Sequence, residues 1–172
     1  PVSITSTLPT SVCDGNSVVC SCAIPNNCSI EWISNGVPTG NTSSSYTVSQ
    51  SANITAVCTS SNGCTASSNA INVTVRPLPQ VQCTINGPAT ICVGDSVQLQ
   101  ALSTAGYSYQ WFKNTQLLPN ANSAIYYAKQ SGNYSYVATL NGCSKTSNAQ
   151  SVQVLPAPIA SITTPNTTVI CN

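Results

Sequence analysis

The feature that most restricts what this chain can fold into is a period of 79 residues. Cys13, Trp32 and the pair Gly63-Cys64 reappear 79 positions later as Cys92, Trp111 and Gly142-Cys143, and Cys171 stands where a third copy of the first cysteine would fall. Solenoid units run about 20–50 residues, so a longer and regular period marks a repeated domain. The 172 residues divide accordingly into a first domain at 1–79, a second at 80–158, and residues 159–172 as the first strand of a third, incomplete repeat.

Within each copy the apolar residues alternate. Val18, Cys20 and Cys22 share one strand face, as do their counterparts Val97, Leu99 and Ala101. Period two with one polar side is the pattern of a half-buried antiparallel strand. Ser29-Ile-Glu-Trp-Ile33 and Tyr107-Ser-Tyr-Gln-Trp-Phe112 follow as the next strand, with Trp32 and Trp111 facing the core, the latter beside Tyr109. Asn53-Ile-Thr-Ala-Val-Cys58 matches Asn133-Tyr-Ser-Tyr-Val-Ala138 as the penultimate strand, here at an offset of 80. Residues 2–13 read as a first strand broken by Pro9. No stretch carries a capped 3.6-residue period, and short strands separated by frequent turn signals predict an all-β fold of two tandem β-sandwiches. Arg76-Pro-Leu-Pro79 and Leu155-Pro-Ala-Pro158 close the copies, and alternating prolines favour a stiff, extended, end-to-end arrangement.

A domain of this size buries a modest core and often relies on covalent staples. Ten cysteines in a chain that is only 4% charged read as a disulfide framework in an oxidising, extracellular setting. Four Lys or Arg against three Asp or Glu leave no basic patch to follow phosphates, so no nucleic-acid partner is expected. No apolar run reaches the roughly 20 residues of a membrane-spanning helix, so no membrane insertion is expected. Pro1 opens directly into strand-like sequence without a signal-peptide pattern, as in a processed or excised segment.

Catalysis finds little to work with. There is no His, and Asp14, Glu31 and Asp95 are the whole acidic inventory. Asp14 and Asp95 occupy equivalent turns of separate copies, so they cannot act as one acid–base couple. Three scattered carboxylates fall short of a hard-cation site, and Cys20-Ser-Cys22 lies in a strand pattern and not on a zinc-binding turn. No enzyme activity, metal or cofactor is expected. The aromatics of the second copy divide between core and surface: Trp111, Tyr109, Tyr134 and Tyr136 are assigned to the core, as is Trp32 in the first copy. Phe112 and one of Tyr126 or Tyr127 remain as outward contacts of the kind that could stack on sugars.

Gly94-Asp-Ser-Val-Gln-Leu-Gln-Ala101, a Trp ten residues later, and Ser131-Gly-Asn-Tyr-Ser-Tyr136 resemble an immunoglobulin-type domain. Ala101 and Tyr136 stand where that family carries its inter-sheet cysteines, so the second copy departs from the pattern. The first copy has Cys22 at one such position, but Cys58 lies two residues past the other. The motifs Ile91-Cys-Val-Gly-Asp-Ser-Val97, Tyr109-Gln-Trp111 and Asn141-Gly-Cys-Ser-Lys-Thr-Ser147, followed by Val152, Val154 and Pro156, are similar to the tandem Ig-like repeats of large secreted surface proteins of Bacteroidetes. That resemblance implies export by the type IX route and a part in adhesion or gliding.

Cys13 and Cys64 recur as Cys92 and Cys143, and these are the only repeat-equivalent cysteine pairs. The expected bonds are therefore Cys13–Cys64 and Cys92–Cys143. Each would close a loop of about 50 residues, for which chain entropy supplies roughly 4 kcal/mol. Cys20, Cys22, Cys28 and Cys58 belong to the first copy alone and admit three pairings. Cys22–Cys58 with Cys20–Cys28 is favoured over Cys20–Cys58 with Cys22–Cys28. Cys171 would await a partner in the third repeat. Cys83 is left over, as a buried thiol, a link to another chain, or a member of a rearranged local pair.

Together these features predict a non-catalytic structural or adhesive repeat of a modular cell-surface protein, acting as a semi-rigid spacer. Its expected partners are neighbouring repeats or identical subunits, with surface glycans or another cell surface beyond them. The alternatives are a filament protomer that donates its tail strand and a carbohydrate-binding accessory module of a secreted enzyme.

Overall fold

The structure, a computed structural model, describes residues 2–7, 9–25 and 27–161. Every helix or strand among them is a strand. The chain separates into two compact units, Pro1–Pro79 with Thr139–Lys145, and Gln80–Ala138 with Thr146–Asn172. The strand expected from the third repeat falls largely on residues 162–172, outside the described residues.

The first repeat contains β1 (Ile4–Ser6), β2 (Ser11–Cys13), β3 (Val18–Cys22), β4 (Cys28–Ser34), β5 (Val37–Pro38), β6 (Ser45–Val48), β7 (Ala52–Ser60), β8 (Thr65–Ser67) and β9 (Ile71–Arg76). They form a three-stranded sheet, β1-β3-β6, and a larger one, β2-β9-β7-β4-β5, with β8 also on β7. The second repeat contains β10 (Cys83–Asn86), β11 (Thr90–Cys92), β12 (Val97–Ala101), β13 (Ser108–Lys113), β14 (Gln116–Leu117), β15 (Ile125–Ala128), β16 (Gly132–Leu140), β17 (Cys143–Thr146) and β18 (Gln150–Leu155). Its sheets are β10-β12-β15 and β11-β18-β16-β13-β14, with β17 on β16. Each repeat is thus an immunoglobulin-like sandwich.

The prolines explain how the first strand is divided. Pro9 separates β1 from β2 and Pro88 separates β10 from β11. Proline has no N–H to donate to a ladder, and in both repeats the chain changes sheets there. The second half then pairs parallel to the last strand, Ser11↔Thr74 through Cys13↔Arg76 and Thr90↔Gln153 through Cys92↔Leu155.

Alternation places the core. Val18, Cys20 and Cys22 on β3 point inward, as do Val97, Leu99 and Ala101 on β12. Trp32 and Trp111 are fully buried, and each donates its indole N–H to a backbone carbonyl, Ser43 at 2.9 Å and Ser123 at 2.8 Å. A buried indole leaves no polar atom unpaired that way. Trp32 stacks on Tyr46 at 5.9 Å between ring centroids, and Trp111 on Tyr126 at 5.7 Å.

The β4–β5 and β13–β14 hairpins turn on two left-handed residues, Asn35 (φ 51°) with Gly36 (φ 81°), and Asn114 (φ 48°) with Thr115 (φ 69°). Asparagine suits the first position because its carbonyl oxygen also accepts a backbone N–H, from Asn53 at 2.9 Å and from Asn133 at 2.8 Å. A β-branched residue at the second position is strained. Thr115→Gly is therefore expected to stabilise the second repeat by about 1 kcal/mol, read as a higher midpoint of its transition in calorimetry. A lower midpoint would refute the turn assignment.

Candidate functional site: the cysteines and the second-repeat aromatics

The six-stranded sheet of each repeat sets its two recurring cysteines far apart. Cys13 lies opposite Arg76, and β9 pairs with β7 from Ala52↔Val73, so Cys13 belongs at the start of β7. Cys64 lies at its far end, where its carbonyl accepts the Ser60 N–H at 2.8 Å. The nine residues of β7 separate these levels, on the order of 25 Å of strand, whereas a disulfide needs Cα atoms about 4.4–6.8 Å apart. The second repeat reproduces this layout, with Cys92 opposite Leu155 and Cys143 on β17 beside β16.

The expected bonds Cys13–Cys64 and Cys92–Cys143 are corrected accordingly. Cys13 is joined to Cys143, with Cα atoms 5.6 Å apart and 130 residues between them in sequence, and both belong to the first compact unit. Among the described residues Cys64 and Cys92 have no bonded partner, and both are exposed.

The cysteines peculiar to the first repeat also pair differently. Cys28 is bonded to Cys58, with Cα atoms 5.8 Å apart. Cys28 stands opposite Ser60 and Cys58 opposite Ile30, so the bond runs diagonally between adjacent strands of one sheet. Cys22–Cys58 and Cys20–Cys28 are not formed. Ala56, opposite Trp32, holds the central core position, and the two-residue displacement of Cys58 along β7 carries it to Cys28. Cys20 and Cys22 remain as buried thiols on the other sheet, and burial raises the pKa of both.

Cys83 is 1% exposed in β10, and burial pushes its thiol pKa up to about 11. It occupies the place of Ile4 in the first repeat and behaves as a small hydrophobe. Cys171 lies outside the described residues. Native-state alkylation near neutral pH is expected to label Cys64 and Cys92 readily and to spare Cys20, Cys22 and Cys83 until the chain is denatured, since the thiolate is the reactive form. Mass mapping of the label checks this, and labelling of Cys83 as fast as Cys64 would contradict its placement.

Two polar devices escaped the motif reading. Asn69 accepts the Ile4 N–H at 2.9 Å and donates to its carbonyl at 3.1 Å, and Asn148 treats Cys83 in the same way at 2.8 and 3.0 Å. The serine before each Asn accepts a backbone N–H from the opposite sheet: Ser68 from Ala56 at 2.9 Å, and Ser147 from Tyr136 at 3.0 Å. Each Ser-Asn pair therefore ties one sheet to the other. Their recurrence at the same 79-residue offset was the available signal.

In the second repeat the Tyr136 hydroxyl accepts the N–H groups of Gln82 at 2.9 Å and Leu102 at 3.1 Å and donates to the Gln82 carbonyl at 3.1 Å. Tyr136 and Ala101 fill the positions of the missing inter-sheet cysteines, and both are buried. The sandwich is pinned there by a phenol.

Tyr134 is also buried, while Tyr109 is half-buried and sets its ring edge-on to Tyr136 at 5.9 Å. Of the residues expected to face outward, Tyr127 is 55% exposed, and Tyr126 turns in against Trp111. Tyr127 borders a shallow surface depression of about 280 Å³ together with Lys113 and Lys129. Phe112 opens on a different depression, with Thr115 and Val137. Phe112 and Tyr127 belong to different sheets and form no common stacking platform. Asp14, Glu31 and Asp95 are all exposed. Among the described residues, no three His, Cys, Asp or Glu side chains gather as a metal site.

No family model and no curated protein matches the chain. Among solved structures, a chain from the crystal structure of a mouse coronavirus receptor-binding domain complexed with its murine receptor matches at TM-score 0.52 and 17% identity, covering 90% of this chain and 100% of that one. Murine CEACAM1b matches at 0.45 and 19%, covering 90% and 100%. The fibronectin(III)-like modules of Clostridium thermocellum CbhA match at 0.44 and 12%, covering 95% and 100%. At such identities the first likeness speaks to the fold alone, and the two weaker ones carry no argument. The chain's own topology is an all-β tandem of immunoglobulin-like sandwiches.

Proposed function

We propose that this chain is a non-catalytic structural and adhesive segment of a modular extracellular surface protein, its two sandwiches serving as stapled spacers. The observation that carries this reading is that the recurring polar residues of the repeat are consumed in holding the sandwich together. The Trp indoles, the Ser-Asn ties and the hairpin asparagines all bond backbone groups of their own repeat. Two disulfides among the described residues favour an oxidising compartment. The resemblance to tandem Ig-like repeats of large Bacteroidetes surface proteins supports a long, repetitive parent polypeptide, and the Pro-rich segments after β9 and β18 support stiff joints.

The test is an immunoblot of intact source cells with antibodies to this chain, before and after surface proteolysis. A protease-sensitive surface polypeptide many times the mass of this segment is expected. An intracellular, protease-resistant species near 17.7 kDa would overturn the reading.

A further inference from the structure

The repeat defines two classes of cysteine. Cys13 and Cys92 end the equivalent strands β2 and β11, whereas Cys64 and Cys143 follow the equivalent turns Asn62-Gly63 and Asn141-Gly142. The bond that forms takes one member of each class, Cys13 and Cys143. The members left over, Cys92 and Cys64, are again one of each class, and both are exposed. Their surroundings differ from those of the bonded pair in one telling respect. Cys92 is flanked by Val93, 59% exposed, and by Leu155, 42% exposed, which stands opposite it on β18. At the corresponding places beside Cys13 the first repeat carries Asp14 and Arg76. An apolar rim around an exposed thiol is a surface that gains by being covered.

We propose that Cys92 and Cys64 are the two halves of a joint between copies of this repeat, Cys92 of one copy bonding Cys64 of another. The joint repeats the chemistry of the Cys13–Cys143 bond, with the hairpin tip at Gly63-Cys64 covering Val93 and Leu155. In the reaction a Cys92 thiolate attacks one sulfur of a disulfide oxidant such as glutathione disulfide and releases one glutathione thiol. The Cys64 thiolate then attacks the mixed disulfide at the Cys92 sulfur and releases the second. Two protein thiols are oxidised to one disulfide while one glutathione disulfide is reduced to two thiols. Because unlike surfaces meet, the contact is heterologous, and each added copy leaves one Cys92 and one Cys64 free to continue. This stands apart from the spacer reading, since it concerns only what these sulfurs do.

The experiment uses two variants of the chain in a Cys171→Ser background. C64S keeps Cys92, and C92S keeps Cys64. Each is incubated alone and then mixed with the other in a glutathione redox buffer, followed by non-reducing electrophoresis and disulfide mapping. The expected result is a 1:1 disulfide dimer in the mixture, joined Cys92 to Cys64, with each variant alone remaining monomeric. Homodimers of either variant as abundant as the mixed dimer would overturn the proposal, as would both thiols staying free in the mixture. The parent chain with Cys171 restored gives a further arm: mapping of either sulfur to Cys171 in place of a Cys92–Cys64 link would also overturn it. Both substitutions are at exposed positions, and an unchanged calorimetric profile verifies that the variants are folded.

Discussion

Tyr136→Phe is expected to destabilise the second repeat by roughly 1–2 kcal/mol while leaving the first unchanged. The ring is fully buried and packs 5.2 Å from Trp111, and Phe would keep that packing. The hydroxyl cannot be replaced. Removing it leaves the Gln82 N–H without its acceptor, whereas the Leu102 N–H keeps the Gln82 carbonyl at 3.1 Å, and one partly buried donor left unpaired costs about 1–2 kcal/mol. For a domain this small, each kcal/mol lowers the midpoint by roughly 4–8 °C, so a fall of roughly 4–16 °C is expected in that transition. The first repeat has Ala56 at the equivalent position, so its transition serves as the internal control. A loss below about 0.5 kcal/mol, the range of ordinary surface changes, would show that the phenol does not pin the sheets.

Trp111→Ala should be more damaging still, at roughly 3–5 kcal/mol. The indole is fully buried between Tyr126 and Tyr136 and holds the Ser123 carbonyl. A domain of about 80 residues has only about 4–12 kcal/mol in total on the usual per-residue scale, so the second repeat should be largely unfolded near 37 °C. Trp32→Ala should do the same to the first, where Trp32 packs on Tyr46 and donates to the Ser43 carbonyl. Each repeat has its own core cluster, so calorimetry should lose one transition in each variant and retain the other. Loss of both transitions from either substitution would contradict separate cores.

The strands and their inward faces were legible because period-two alternation is local: Val18-Cys20-Cys22 and Val97-Leu99-Ala101 declare a buried face without knowledge of anything else. Pro9 likewise marked the place where the first strand divides. The disulfides were not legible, for a geometric reason. A repeat says which cysteines are equivalent but not at which end of the sheet each one sits. Only the registers Cys13↔Arg76 and Thr65↔Thr59 show Cys13 and Cys64 to lie at opposite ends. Cys58 was visibly two residues out of place for an inter-sheet bond, yet its bond to Cys28 depends on the β4–β7 register. The role of Tyr136 was half visible. Its position was that of a missing cysteine, but the reach of its hydroxyl to Gln82 and Leu102 depends on how the sheets pack.

The most direct measurement is disulfide mapping of the oxidised chain with a protease that cuts before aspartate. Asp14 and Asp95 are the only aspartates, so cleavage isolates residues 1–13 with Cys13, residues 14–94 with seven cysteines that include Cys64 and Cys92, and residues 95–172 with Cys143 and Cys171, which sequencing of the linked peptides tells apart. The structure predicts that residues 1–13 are released only with residues 95–172, through Cys13–Cys143. Recovery of residues 1–13 bonded to residues 14–94 through Cys64, with Cys92 bonded to Cys143, would contradict it.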